Sequence, residues 1–399
     1  MPLLTSHTAG ESHGPGLITL IQGLPAGVEL DEGFINAELR RRQGGYGRGG
    51  RQRIETDRAE FLSGVRQGVT IGSPVAIRIA NKDSRLDDPA KTPPVYRPRP
   101  GHADLAGSVK WLTTDCRATL ERASARETAA RTAAGAVARC LLRVFGIEVF
   151  GFVRSIHAAA WEGDVPADNW RPLLAARDAS EVYCPDERAS AGMIEAIRAA
   201  KVDKDTVGGL VEAHVFNCPV GLGSCVDWRD KLDARLAFAV MGIQAFKSVE
   251  IGLGKQCAER RGSEVHDPIA FDRSREETPA LGFVRSRNNA GGLEGGMTNG
   301  APIVVRGAMK PISTLLQGMP SVNLNTKEPE RSDYERSDVC AVSAASVVME
   351  NVVAFEIAAA MREKFGGDSI LEMKQNYDRF LETARMLPLE PPDQSKTIA

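Results

Sequence analysis

From Ala103 to about Phe145 the chain carries a helical pattern rich in alanine, with small residues recurring all round the helix and not along one stripe. A helix of that kind is buried on several sides, so other elements must cover it. A second helix, long and apolar, is expected over Asp338–Phe365, ended by Gly366-Gly367. Asp368 is expected to cap a last amphipathic helix. Strand-like runs occupy 16–22, a short piece at Val28, and 61–65, 75–79, 149–160, 210–219, 248–252 and 303–306, with further helices over 34–43 and 227–246. These strands do not alternate strictly with helices, which favours an α+β fold over a doubly wound sheet.

At 399 residues the chain is long for a single core. No sharp linker divides it, so residues 1–386 are expected to form one large catalytic domain. The polar tail LPLEPPDQSKTIA, 387–399, is expected to be disordered. Residues 82–100 are polar and proline-rich and read as a surface loop. Residues 258–300 read as a glycine-rich loop too long to be a mere connection.

A formal net charge of -2 provides no global basic field for nucleic acid or an anionic membrane, so anion binding must come from local clusters. The cysteines are scattered, with no CxxC pair, which points to a reducing compartment and against a thiolate zinc site. No HExxH or His/Asp cluster supports another metal. The first residues lack the basic and apolar regions of a signal peptide. No apolar run approaches the ~18 residues of a membrane span. A cytoplasmic protein is expected.

Two motif matches fail on context. Gly10-Glu11-Ser12-His13-Gly14 fits G-x-S-x-G, yet a nucleophile elbow needs several strands before it. Gly45-Tyr46-Gly47-Arg48-Gly49-Gly50 fits G-x-G-x-x-G, but follows an arginine-rich helix end and not a strand.

Three clusters remain. Arg40, Arg41, Arg42, Arg48 and Arg51 are crowded among glycines. Backbone that can approach a ligand closely and guanidinium forks that pair with phosphate or carboxylate suit a small polyanion, against the plainer reading of a solvated helix end. Arg97 to Asp104 places His102 near a helix start, where it could exchange a proton. Arg122 and Arg126, one helical turn apart, would share a face, paired with an anion or with Glu121 or Glu127. The run Asn288–Gly300 offers amides and glycines suited to an anion nest. Asp338 is either the cap of the long helix or a base.

In order along the chain stand GESHGP, RRRQGGYGRGGR, RPGHAD, ERASARETAAR, GIQAFKSVEIG, RNNAGGLEGGMTNG, KPIST and RSDVCAV. On these segments, over about residues 8 to 375, the sequence resembles chorismate synthases. The resemblance implies a homotetramer with a layer of helices between antiparallel sheets. It implies a trans-1,4-elimination of phosphate from 5-enolpyruvylshikimate 3-phosphate to give chorismate in the shikimate pathway, requiring reduced FMN without net redox change. His13 would protonate the departing phosphate, His102 would stabilise or protonate the flavin, and Asp338 would help its N5 take the carbon-6 hydrogen. Arg42, Arg48, Arg51 and Arg126 match the substrate clamps. Arg122, Ala123, Ser124, Gln244, Ala245, Gly295, Lys310, Pro311, Ile312, Ser313, Thr314 and Arg336 match the FMN contacts. Reduction of the flavin by NADPH on this chain or by an external flavin reductase stays open. So do two rival classes, a flavin oxidoreductase and an RNA-binding module. The sequence departs from the family at Lys204, usually glycine, and at Ser343 and Ser346, and its 82–100 loop is shorter than in many relatives.

Overall fold

The computed structural model describes residues 4–50, 54–335 and 337–390. Residues 391–399 of the expected tail, together with Arg51 and Arg336, lie outside the described residues.

Two antiparallel sheets flank a layer of helices. The first contains β1 (Thr5–Ala9), β2 (Gly16–Gln22), β3 (Glu60–Ser63) and β4 (Val75–Ala80), in the order β1-β2-β4-β3. Strand β2 pairs with β4 from Gly16↔Ala80 to Ile21↔Val75. That register puts Leu17, Thr19 and Ile21 on one buried face with Val75, Ile77 and Ile79. The second sheet contains β5 (Glu148–Ile156), β6 (Ala159–Ala160), β7 (Gly209–Phe216), β8 (Phe246–Ile251) and β9 (Ile303–Met309), in the order β8-β9-β7-β5-β6. The helices that build or frame the core are α1 (Glu32–Gln43), α2 (Asp104–Lys110), α3 (Arg117–Ala123), α4 (Thr128–Arg143), α5 (Glu187–Val202), α6 (Leu232–Met241), α7 (Val342–Phe365) and α8 (Ile370–Arg385), with a further helix at Arg171–Ala179 and short turns between. Helix α4 packs on the first sheet, α7 on the second, and the two pack on each other. This is the α+β arrangement expected, and it explains the small residues. Gly135 of α4 lies so close to α7 that a Cβ there would meet the Asn351 carbonyl oxygen at 2.1 Å.

The expected helix over 103–145 is in fact three. Leu112 takes φ 55° after α2. Ser124 is extended (φ -63°, ψ 140°), and its hydroxyl accepts the Arg126 N–H at 3.3 Å, ending α3 and opening a single 3₁₀ turn at Ala125–Glu127. A side chain that bonds its own backbone locally offers an alternative to the helix, and here it wins. Val28 lies between isolated bridges and not in a strand. The long segment 258–300 folds into two small hairpins, 269–285 and 293–298, and short helical turns.

Helix α7 starts four residues later than expected, behind Ala341, with no side-chain cap, so Asp338 does not cap it. The expectation that no apolar run is long enough for a bilayer also fails. By length and composition α7 qualifies, yet 94% of its apolar window is buried inside the protein, where it serves as a core helix. Ser369, not Asp368, caps α8, accepting the Glu372 N–H at 3.2 Å. Lys204, just past α5, sits at φ 57°, the left-handed position where glycine is free of strain, and this accounts for the glycine usual in relatives. Ser343 and Ser346 are buried and donate to the Val182 and Ser343 carbonyls at 3.2 and 2.8 Å.

Candidate active site

One cavity of about 610 Å³ opens where the helical layer meets its loops. It is lined from the β1–β2 connection, the glycine-rich loop after α1, the 82–103 loop, the Ser124 break, residues 243–245, the segment after β9 and the residues leading into α7.

Asn81 ties down the β1–β2 connection, its amide donating to the Glu11, Ser12 and Gly14 carbonyls at 3.1, 3.2 and 2.9 Å. His13, held on that connection, has its Nδ1 at 2.9 and 3.0 Å from the two oxygens of Glu121. Its Nε2 lies 3.2 Å from Arg85 Nη2. The Ser124 hydroxyl donates to Ser12 Oγ at 3.1 Å.

Arg42, Arg48 and Arg126 converge on the same cavity. Asp57 Oδ2 takes Arg42 Nη2 at 3.0 Å and Arg126 Nη1 at 2.7 Å, while Asn81 Oδ1 accepts Arg126 Nε at 2.8 Å. Burial, together with the like charges of Arg126 and Arg48, pushes Arg42 down to about 10 against the pull of Asp57. Arg42 Nε, Arg48 Nε and Arg126 Nη2 are buried with no hydrogen-bond partner among the described residues, although Arg126 Nη2 stands 3.7 Å from a Glu55 oxygen. Crowded, under-paired guanidinium groups are costly unless an anion shares them. Arg40 and Arg41 do not join them. Arg40 is exposed, and Arg41 turns inward to Glu38 and Glu350.

At the opposite wall, His102 Nδ1 is 2.5 Å from Asp104 Oδ1. Arg99 grips the other oxygen of Asp104 through Nε at 2.8 Å and reaches Thr314 Oγ1 through Nη1 at 2.9 Å. Burial works to raise the Asp104 carboxyl, but the hydrogen bonds from His102 and Arg99 and their charges hold it well below the carboxylate range. Lys310 is lowered by burial and by Lys247, and its ammonium donates to the Gly101 carbonyl. Asp338 accepts the Gly49 N–H at 2.6 Å and pairs with Arg48 Nη1 at 2.8 Å, so it anchors the glycine-rich loop. Asp333, five residues before Asp338, pairs with Arg97.

Between these walls runs an apolar slot of Ala123, Ile243, Ala245, Ile312, Ala344 and Val348. Gln244 lines it with an Oε1 that has no hydrogen-bond partner among the described residues, while its amide donates to Glu127 at 3.0 Å. A flat ring system with amide edges, such as the flavin the resemblance implies, fits an alanine-lined slot with an unpaired amide oxygen and the 310–314 backbone beside it.

Of the residues singled out from sequence, the structure brings together His13, His102, Asp338, Arg42, Arg48, Arg126, Ala123, Ser124, Gln244, Ala245 and 310–314. Arg122 and Gly295 are not brought to the cavity wall. The break at Ser124 separates Arg122 from Arg126, and the Arg122 guanidinium donates to the Thr8 carbonyl at 3.2 Å. Neither arginine pairs with Glu121 or Glu127 by hydrogen bond, since Glu121 takes His13 and Glu127 takes Gln244 and Thr8. Asp57, Asn81, Arg85 and the positioning contacts of Arg99, Asp104 and Glu121 went unread, because a lone polar residue beside a strand or inside a helix carries no local sign of its partner.

The family model for chorismate synthase matches residues 4–361. The chain is 53% identical over 392 residues to the chorismate synthase of Geobacter metallireducens, covering 95% of this chain and 98% of that one. It is 51% identical over 388 residues to that of Desulforudis audaxviator, covering 95% and 97%. A crystal structure of chorismate synthase superposes with a TM-score of 0.78 at 40% identity, covering 96% of this chain and 98% of its own. With matches of that extent over the same segments that build the cavity, the chain belongs to the chorismate synthase family.

Proposed function

We propose that the cavity carries out the family's 1,4-elimination with His13 as proton donor, His102 and Asp338 on the flavin side, and Arg42, Arg48, Arg51 and Arg126 as anion clamps. The carbon–oxygen lyase class and the place in the shikimate pathway follow from the family, which requires a reduced flavin. We take the flavin to be FMN, reduced by NADPH or by an external flavin reductase. The working form is a cytoplasmic homotetramer, with residues 1–386 acting as one catalytic domain.

The observation that carries the reading is the convergence of three under-paired arginines with two carboxylate-supported histidines on one cavity. The substrate bears a phosphate and two carboxylates, which such arginines bind and orient. In the elimination the carbon-6–hydrogen bond breaks and its electron pair forms the new double bond to carbon 1. The existing double bond shifts to carbons 2 and 3, and the carbon 3–oxygen pair leaves with phosphate. Charge builds on the departing oxygen, where a fixed cation and a proton donor lower the barrier. His13 holds its proton source at that end. Asp338 keeps the glycine-rich loop and Arg48 in place. His102, held by Asp104, presents its ring edge to the cavity. A bound reduced flavin would supply the acceptor for the carbon-6 hydrogen, with no net change in oxidation state. Ser124, Gln244, Ala245 and residues 310–314 would hold its ring.

Anaerobic turnover of 5-enolpyruvylshikimate 3-phosphate, with and without photoreduced FMN, tests this. Chorismate is expected only with reduced FMN, at reductant use far below product. One reductant consumed per chorismate would make the chain an oxidoreductase.

A further inference from the structure

We propose that Glu121 is the positioning residue of His13, fixing which ring nitrogen carries the resting proton and stabilising the imidazolium that delivers a proton to phosphate. This rests on the reading of His13 as proton donor.

Glu121 is fully buried on the last turns of α3. Its carboxylate accepts the His13 backbone N–H at 2.8 Å while both oxygens lie on Nδ1 at 2.9 and 3.0 Å. Its own carbonyl accepts the Ser12 N–H at 3.1 Å, so ring and backbone of His13 are gripped by one residue. The other ring nitrogen fixes the tautomer. Arg85 Nη2 stands 3.2 Å from Nε2, and a guanidinium can only donate, so Nε2 carries the lone pair and Nδ1 the proton. That proton points at Glu121. Arg85 is itself set by its N–H on the His13 carbonyl at 2.9 Å.

The charged groups facing the imidazole are Glu121 from α3 and, from the 82–100 loop, Arg85 and Asp83, the latter 3.7 Å from Nε2. Arg117 stands behind Glu121 at 3.5 Å and ties it to Glu335 at the cavity mouth, 2.9 Å away. Burial works to raise Glu121, yet the hydrogen bonds and charge of His13, with Arg117, hold it below the ordinary carboxylate range. A carboxylate held against Nδ1 stabilises the positive charge the ring bears while it passes a proton to phosphate, and aims Nε2, once Arg85 turns to the phosphate, at the leaving oxygen. An amide would keep the backbone contact and lose the charge.

Glu121→Gln, Glu121→Asp, His13→Ala and the Glu121→Gln/His13→Ala pair separate the roles. Expected for Glu121→Gln is a folded enzyme with kcat down by about 10²-fold, the span of a positioned acid–base group, and KM little changed. The alkaline limb of its kcat–pH profile should move to lower pH, and the downfield proton resonance of His13 Nδ1–H should shift or vanish. Glu121→Asp should recover part of both. In the His13→Ala background the same substitution should cost nothing more. Wild-type rate and pH profile in Glu121→Gln, or an undiminished loss in the His13→Ala background, would reduce Glu121 to a structural residue. A fully active His13→Ala would instead remove the donor role of His13 itself. Should Glu121→Gln not fold, Glu121→Asp carries the same pH and resonance comparison.

Discussion

Two aspartates five residues apart are set to opposite uses. Asp338 bonds the Gly49 N–H and Arg48 at the cavity wall, while Asp333 pairs with Arg97 outside it. Asp338→Asn should therefore keep the fold, because α7 takes no cap from it. It should slow turnover by about 10²-fold, since asparagine holds Gly49 but leaves Arg48 without its counter-charge. Asp333→Asn should stay near wild type in kcat, and thermal melting of both variants checks that folding is not the cause. Asp338 stood out in the sequence because an apolar run follows it directly. Its contacts were not legible. A carboxylate just before a helix looks like a cap, and only the approach of the glycine-rich loop from 289 residues away gives it other work.

At the scale of elements, helices α4 and α7 meet backbone against backbone. Alanine is favoured over glycine inside a helix by about 1 kcal/mol. At Gly135 the added methyl would meet backbone of α7, which no rotamer change relieves. Gly135→Ala should accordingly cost roughly 1–3 kcal/mol net, as overpacking does, and lower the urea midpoint. A stabilised variant would mean that the two helices can separate freely. The strands β2 and β4 were readable within a residue, because one face of each must be apolar, whereas β7, buried on both faces, ends at Phe216, short of the expected 219. Periodicity missed the breaks at Leu112 and Ser124, since the pattern of small residues continues through them while backbone angles do not. Those breaks matter for the site. An unbroken helix would have put Arg122 beside Arg126.

Across the whole molecule, buried carboxylates are balanced by basic partners at several places. Burial works to raise Glu38, Asp57 and Glu212, and their arginine, asparagine or histidine partners outweigh it. Their folded values lie below the unfolded range of about 4, so the stability they contribute is present above that range and lost as pH falls through it. Glu356, raised by burial, works the other way. With Asp104 and Glu121 lowered in the same way, five such carboxylates are opposed by one, and the urea midpoint should fall steadily from about pH 5 to pH 3. A flat midpoint would show these pairs to be uncoupled from folding. One further consequence comes from where the core helices α4 and α7 begin. Thr128 opens α4, and Ala341, Ala344 and Ala345 open α7, and all four line the cavity. Gly135 then meets Asn351, about two turns in on α4 and slightly further along α7, so both helices run away from the same spot. Each peptide column carries a partial positive charge of about half a unit at its start. The polyanion is thus met by a field drawn from backbone as well as from side chains, one that no titration can discharge and no single arginine substitution can remove.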